Sequence, residues 1–341
     1  MVNSKLTDIF NIASSFSVRK SWNAGKVFIS YHLSNLIGRP IHWGMPISVS
    51  IEPTTSCNLR CPECPSGKRE FSRNTGMLES EFFHKIIDEL SPHISYLTFY
   101  FQGEPYLNTG FTDMVSYASA KNIYTATSTN GHYLTPENAR KTVQCGLKRL
   151  IISIDGTTQE TYSAYRIGGQ LDKVLEGAKN LVEWKRKLHS TTPYLIFQFL
   201  VNRANQSQIQ DIIKLGKEIG VDEVKLKTLQ VYDYSEGNDL LPSDEQYSRY
   251  KKDGSGKYVI KNKLLNHCWR SWQGCVFTWD GQVVPCCFDK DAKHTLGNVN
   301  GASFASIWHG DEYRSFRRAI LHSRKNIDIC KNCTEGATAW L

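Results

Sequence analysis

Long apolar runs are missing from this chain. None of about 18 or more residues interrupts its 341 residues, so no helix is expected to span a bilayer. The first residues hold neither a continuous apolar segment nor a cleavage motif, and a secretory signal is not expected. No run of Lys or Arg stands out, although the net charge is +8. A basic balance suits nucleic acid or an acidic substrate, but spread out it reads as a solvated basic surface. No appended RNA-binding module is visible, so nucleic acid is not expected as a partner. What the chain does hold is ten cysteines. Without a signal segment they read as reduced metal ligands of a cytoplasmic protein rather than as disulfides.

Three of them, Cys57, Cys61 and Cys64, stand at C-x3-C-x2-C within Ile51-Glu52-Pro53-Thr54-Thr55-Ser56-Cys57-Asn58-Leu59-Arg60-Cys61-Pro62-Glu63-Cys64-Pro65. One loop with that spacing offers three thiolates to one face of an iron–sulfur cluster. A [4Fe–4S] cluster takes four ligands, so three leave one iron for a group that is not protein. Zinc is the competing reading. Structural zinc sites usually pair two C-x2-C knuckles, and no His lies close enough to complete this one.

From Pro46 onward strand-like and helix-like segments alternate. Ile47, Val49 and Ile51 alternate as a strand that delivers the cysteine loop. Strands are expected again at 96–101, 123–127, 149–154, 194–201 and 223–229, with helices at 79–90, up to about 121, 136–145, 171–187 and 208–219. Six such units imply a parallel sheet with right-handed crossovers, too few for a closed eight-fold barrel. Ahead of them, Trp22, Val27, Phe28, Tyr31, Leu33, Leu36 and Ile37 suggest an amphipathic helix over Val18–Ile37 that Gly38-Arg39-Pro40 ends. It is expected to pack on the core, a membrane-surface or docking role being the lesser reading.

The cysteine stretch resembles the signature of the radical S-adenosylmethionine (radical SAM) enzymes. There the amino and carboxylate groups of S-adenosylmethionine chelate the open iron, and an electron from the cluster cleaves the sulfonium to a 5'-deoxyadenosyl radical. The resemblance implies an α/β fold, a partial (β/α)6 radical SAM barrel with a small C-terminal SPASM/twitch-like iron–sulfur domain. In that family an aromatic residue usually precedes the third cysteine, where this chain has Glu63. Gln102-Gly103-Glu104-Pro105 resembles the Gly-Gly-Glu segment that meets the cofactor's amino group, with Gln102 in place of the first glycine. Ser128 and Asn130 match positions that bind the ribose and the carboxylate. Read alone, both segments are turns. Ser153 and Asp155 end the fourth strand at the same mouth. Tyr165-Arg166-Ile167-Gly168-Gly169 resembles a stretch of the SPASM branch, in which Arg166 would pair with the cofactor carboxylate; an ordinary surface pair is the alternative. Gln198 and Lys227 are polar among apolar neighbours and fit either the barrel interior or a solvent face.

A second group comprises Cys268, Cys275, Cys286, Cys287, Cys330 and Cys333, with a hairpin turn at Trp279-Asp280-Gly281. Cys268, the Gly281-x4-Cys286 spacing and Cys330-x2-Cys333 resemble the SPASM or twitch extension. That resemblance implies one auxiliary [4Fe–4S] cluster on Cys268, Cys286, Cys330 and Cys333. Cys275 and Cys287 are then spare core residues, as is Cys145, though either of the first two could displace a chosen ligand. A zinc site on the same four is the alternative. Sulfatase-maturing relatives carry a catalytic Asp where Cys287 stands, which argues against that activity.

The implied organisation is an N-terminal helical extension (1–45), a radical SAM core (46–232), a linker (233–265) and the auxiliary domain (266–341). The implied function is a radical SAM oxidoreductase acting on a small molecule or a peptide, fed by a donor such as flavodoxin or ferredoxin. A non-catalytic S-adenosylmethionine and iron–sulfur carrier, or a tRNA-modifying enzyme, are the alternatives. No acid or base is singled out; Tyr100, Asp155, Lys227 and Asp289 are candidates.

Overall fold

The computed structural model describes residues 4–336. Two helices come first, α1 (Ser4–Ser14) and α2 (Val18–Ile37). The alternating region then runs β1 (Ser48–Ile51), α3 (Pro65–Lys68), α4 (Ser80–Leu90), β2 (Tyr96–Phe99), α5 (Phe111–Ala120), β3 (Tyr124–Thr129), α6 (Pro136–Gln144), β4 (Arg149–Ser153), α7 (Gln159–Tyr165), α8 (Leu171–Lys187), β5 (Tyr194–Val201), α9 (Ile209–Ile219) and β6 (Glu223–Thr228). Beyond it lie β7 (Tyr250–Lys252), β8 (Tyr258–Ile260), α10 (Arg270–Gln273), β9 (Gly274–Phe277), β10 (Gln282–Val284), β11 (Gly297–Asn298), α11 (Phe304–Trp308) and α12 (Asp311–Ser323).

Strands β1 to β6 pair in parallel, each with the next, as the alternation predicts. This is the partial (β/α)6 barrel. Strand alternation sorts its side chains. Val49, Ile51, Leu97, Phe99, Leu150, Ile152, Leu195 and Phe197 point to the helices and form the main core with Phe83, Ile87 and Leu181. Ser48, Ser50 and Thr98 point the other way and line the interior.

The sheet does not stop at β1. Strand β9 pairs with β1 in parallel, Ser48 beside Gly274 and Ile51 beside Phe277. Strands β10 and β11 follow antiparallel, giving nine strands in the order β11-β10-β9-β1-β2-β3-β4-β5-β6. The C-terminal hairpin therefore extends the barrel sheet. Gly274 permits the approach, since a Cβ there would stand 2.1 Å from the Ser48 carbonyl oxygen. The stretch 233–265, expected as a linker, is built structure. Its hairpin β7–β8 places Tyr250 in a buried cluster with Leu59, Cys61, Tyr165, Leu229 and Val231.

A buried ion pair fastens these parts. Arg73, on the segment returning from the cysteine loop, grips Glu52 through both terminal guanidinium nitrogens at 2.8 and 2.6 Å. The Trp279 backbone N–H, in the β9–β10 turn, donates to the same carboxylate at 3.3 Å. The side chains are 5% and 0% exposed.

Helix α2 is capped at both ends, the C-terminal one at the expected Gly38. Ser17 accepts from the Lys20 N–H, and Gly38, at φ 68°, closes on Ser34. Its packing corrects the expected one. Val27 and Tyr31 are buried against Trp269 and Trp272, but Trp22, Leu36 and Ile37 face out.

Arg73→Met should destabilise the protein by about 3–5 kcal/mol, because it strands a buried carboxylate. Burial already raises the Glu52 pKa, which Arg73 opposes. The variant's loss, followed by chemical denaturation, should shrink as pH falls and Glu52 takes up a proton. An equal loss at every pH would contradict the assignment.

Candidate active site

The loop carrying Cys57, Cys61 and Cys64 leaves the end of β1 and is braced from every side. The Glu104 N–H donates to Ser56 O at 2.8 Å, and the Arg60 N–H to Ile167 O at 2.9 Å. Gly103, at φ 75°, lies flat on this loop, where a Cβ would stand 2.1 Å from Thr54 O. Gly67, in α3, fits against Cys61 in the same way, a Cβ there meeting its backbone at 2.6 Å. Both glycines are dictated by close approach of backbone to backbone.

The three cysteines open onto a cavity of about 300 Å³ at the C-terminal ends of the strands, where chemistry sits in parallel barrels. The residues expected at the mouth from β2 to β6 line it: Gly103, Glu104, Ser128, Asn130, Ser153, Arg166, Gln198 and Lys227. The alternation of β3, β4, β5 and β6 is what turns Ser128, Ser153, Gln198 and Lys227 inward.

Hydrogen bonding separates these residues. Glu104 is buried and accepts from Thr129 Oγ1 at 2.6 Å, the Asn130 N–H at 2.7 Å and the Tyr106 N–H at 3.3 Å. Burial pushes its carboxyl up to about 7, against those donors. Asn130 spends its side-chain amide on Asn58 Oδ1 at 2.7 Å and lies 3.9 Å from Cys57 Sγ. It shapes the cysteine loop and has no amide proton to spare for a ribose. Arg166 is not a surface pair: it is mostly buried and lines the cavity, with its Nη2 donors unspent on Asp155. Its Nε donates to buried Asp155, and Nη1 lies 3.8 Å from Cys61 Sγ. Asp155 in turn accepts from the Leu200 N–H at 2.8 Å, which leaves it no role as an exchanging acid or base. Asp289 is likewise occupied: it accepts the Lys293 and His294 N–H groups at 2.8 Å and does not line the cavity. Tyr100 and Lys227 do line it. Glu63 accepts the Tyr232 N–H at 3.0 Å and so ties the loop to the chain leaving β6.

The donor set fits a cluster. Burial pushes the Cys57 thiol up to about 11 and raises Cys61 too, so thiolates here need cationic iron to be stable. The Leu59 N–H at 3.5 Å from Cys57 Sγ and the Arg166 guanidinium at Cys61 are the donors a cluster thiolate takes.

The second cysteine group converges as well. Cys268 and Cys330 are buried with Ile320 and Ile327. Burial raises the Cys286 thiol, and Cys287, Cys268 and Cys330 add to the shift by standing near it. Arg324 Nη2 and the Glu335 N–H both lie 3.3 Å from Cys333 Sγ. Among the described residues no three Cys, His, Asp or Glu groups close on a single-ion site. Cys275 lies in the core, hydrogen-bonded with Tyr313, and Cys145 donates to Thr142 O at 3.2 Å.

Cys287 is not the core residue expected. It is half-buried and lines both the mouth and a second cavity of about 470 Å³, which runs inside the barrel past Ser48, Ser50 and Thr98 to Cys286. Arg270 and Glu335, ion-paired at 3.0 Å, line both as well. Sequence reasoning missed Arg249, buried at the mouth with Nε unbonded among the described residues. It comes from the stretch read as linker, where no local pattern marks it. The adjacency of Cys287 to Cys286 was its one signal.

Replacing Cys57, Cys61 and Cys64 by Ala together should halve the iron of anaerobically purified protein. Replacing Cys330 and Cys333 should remove the other half. Iron unchanged in either variant would take those cysteines out of the site.

The radical SAM superfamily model matches residues 51–215, and that of the SPASM iron–sulfur cluster-binding domain matches 268–334. Among curated proteins, a tungsten-containing aldehyde ferredoxin oxidoreductase cofactor-modifying protein of Pyrococcus furiosus is 27% identical over 313 residues, covering 83% of this chain and 86% of its own. A PqqA peptide cyclase of Bradyrhizobium diazoefficiens is 28% identical over 287 residues, covering 78% and 71%. Mycofactocin maturase of Mycobacterium tuberculosis is 26% identical over 313 residues, covering 84% and 75%. Of solved structures, anSMEcpe with bound AdoMet aligns with a TM-score of 0.63 at 18% identity, over 86% of this chain and 89% of that one. Streptococcus suis SuiB aligns at 0.62 and 13% identity, over 86% and 73%. These two show the fold. With both family models falling on one continuous nine-stranded sheet, the chain belongs to the radical SAM superfamily, as an enzyme with a C-terminal SPASM iron–sulfur domain.

Proposed function

We propose that this enzyme modifies a peptide in the space between two cysteine groups. The observation that carries the reading is the pair of cavities sharing Cys287, Arg270 and Glu335, which gives both groups access to one substrate space. Similarity to the PqqA peptide cyclase supports a peptide over a small molecule. On this reading Cys57, Cys61 and Cys64 hold the cluster that binds S-adenosylmethionine, and Cys268, Cys286, Cys330 and Cys333 hold the auxiliary cluster. The first cluster with S-adenosylmethionine would supply the radical chemistry of hydrogen-atom abstraction.

The chain's own residues then have distinct tasks. Glu104 accepts hydrogen bonds from the cofactor's amino group with lone pairs not used by Thr129 and Asn130. Ser128, Ser153 and Gln198 present polar groups to its ribose and carboxylate. Arg166, locked to Asp155, and Asn130 are positioning residues that set the cysteine loop. Lys227, Arg249 and Arg270 make the substrate side of the mouth cationic. Lys227 faces Cys287 and Glu335, and burial lowers its pKa. A flavodoxin- or ferredoxin-type donor in the cytoplasm supplies the electron.

Anaerobic protein should carry about eight irons per chain and form 5'-deoxyadenosine with dithionite and S-adenosylmethionine. A peptide pool from the cells that make the protein should accelerate that formation, and protease treatment of the pool should abolish the effect. Stimulation by the small-molecule pool alone would sink the peptide reading, and cleavage that nothing stimulates would favour a carrier. About four irons with one zinc would make the C-terminal site structural.

Affinity for S-adenosylmethionine, measured by equilibrium dialysis, should fall as pH drops through about 7, where Glu104 takes up its proton and loses acceptor capacity. Glu104→Gln should bind more weakly and flatten that dependence. An unaltered pH profile in the variant would remove Glu104 from the cofactor site.

A further inference from the structure

Helix α2 is built inside out. The positions it turns to the protein are Lys20, Asn23, Val27, Ser30, Tyr31 and Ser34, four of them polar. The positions it turns to solvent include Val18, Trp22, Ile29 and Leu36, which are 90%, 73%, 52% and 81% exposed. At about 100° per residue these four lie within about 40° of one another, opposite the buried side, and run about 27 Å along the helix. The inward polar groups are satisfied. Lys20 Nζ donates to Asn122 O at 2.7 Å, Asn23 Nδ2 to Met45 O at 2.9 Å, and Ser34 Oγ to Ser30 O at 2.6 Å. Polar bonds with Val27 and Tyr31 therefore seat the helix, and the outer stripe contributes nothing to docking it.

The stripe is not isolated. Leu6, Ile9, Phe10 and Trp43 are also at least half exposed, so nine of the seventeen large apolar side chains left exposed among the described residues fall between 6 and 43. The same region is nearly free of acid. Residues 1–51 contain one acidic side chain, Asp8, which is buried and paired with Arg149. Arg19 and Arg39 are exposed, and Lys26 partly so. An exposed aromatic and aliphatic stripe flanked only by cations matches an anionic lipid surface. A second copy of this face would bring like charges together. No helix of the described residues is long and apolar enough to cross a membrane, so the fit is to a surface.

We propose that α2 lies flat on an anionic phospholipid surface, with Val18, Trp22, Ile29 and Leu36 in the acyl boundary and Arg19, Lys26 and Arg39 among the headgroups. The test is flotation of the anaerobically purified full chain with phosphatidylcholine vesicles, with and without phosphatidylglycerol. Binding should require phosphatidylglycerol and weaken with salt. Trp22→Ser with Leu36→Ser should cut it at least about tenfold while iron content and thermal unfolding stay as in the parent, because both side chains are exposed. Arg19→Gln with Lys26→Gln should weaken binding to the anionic vesicles. Absence of vesicle binding, or binding unaltered by the Trp22 and Leu36 changes, overturns the proposal. So does a dimer, by light scattering, that those changes split, which would give the face to a second copy. An acidic protein that binds this face in place of vesicles overturns it too.

Discussion

The carboxylate of Glu52 is the point at which three parts of the chain become one. It sits where β1 ends and the cysteine loop begins. Arg73 holds it from the far side of that loop, and the Trp279 backbone holds it from the C-terminal hairpin. The indole of Trp279 covers Gly76, where a Cβ would stand 2.5 Å from the ring. A carboxylate this deeply buried is tolerable only with its partners in place. The contacts that make the burial of Glu52 tolerable therefore fix the return of the cysteine loop and the seat of the auxiliary half together.

That coupling gives the nine-stranded sheet its functional sense. The pairing of β9 with β1 carries Cys286 and Cys287 to the open side of the barrel, facing the first cysteine group across the interior. Two hinged domains would leave the separation of their metal groups free to vary. One sheet with a buried ion pair at the seam does not. The cationic residues at the mouth come from different elements: Lys227 from β6, Arg249 from just before β7, and Arg270 from α10. All three line the cavity onto which the first cysteine group opens.

The chain also departs from ordinary amphipathic logic at its N-terminal end. Helix α2 turns hydrogen-bonded Lys20, Asn23, Ser30 and Ser34 to the protein and exposes an apolar stripe. An apolar periodicity says that one face is wanted away from water. It does not say whether protein or another apolar phase covers that face.

Features with a local cause can be read along the chain. Strand alternation and helical spacing are properties of neighbouring residues, so the six repeats and the cysteine loop at the end of β1 were legible, whereas Gln198 and Lys227 fitted either face until the cavity claimed them. The spacing of Cys57, Cys61 and Cys64 was legible for the same reason. Features that depend on pairs far apart in the chain emerge from the packing. That Asp155 holds Arg166 and Asn58 holds Asn130 is visible only in the packing. Asp155 and Asp289 read as acid–base candidates until backbone N–H groups were found on both. Cys287 read as a core residue, Arg249 as part of a linker, and the auxiliary half as an appendage. Their roles follow from β9 choosing β1 as its partner, a pairing more than two hundred residues apart that the packing of Gly274 on Ser48 permits and no local pattern announces.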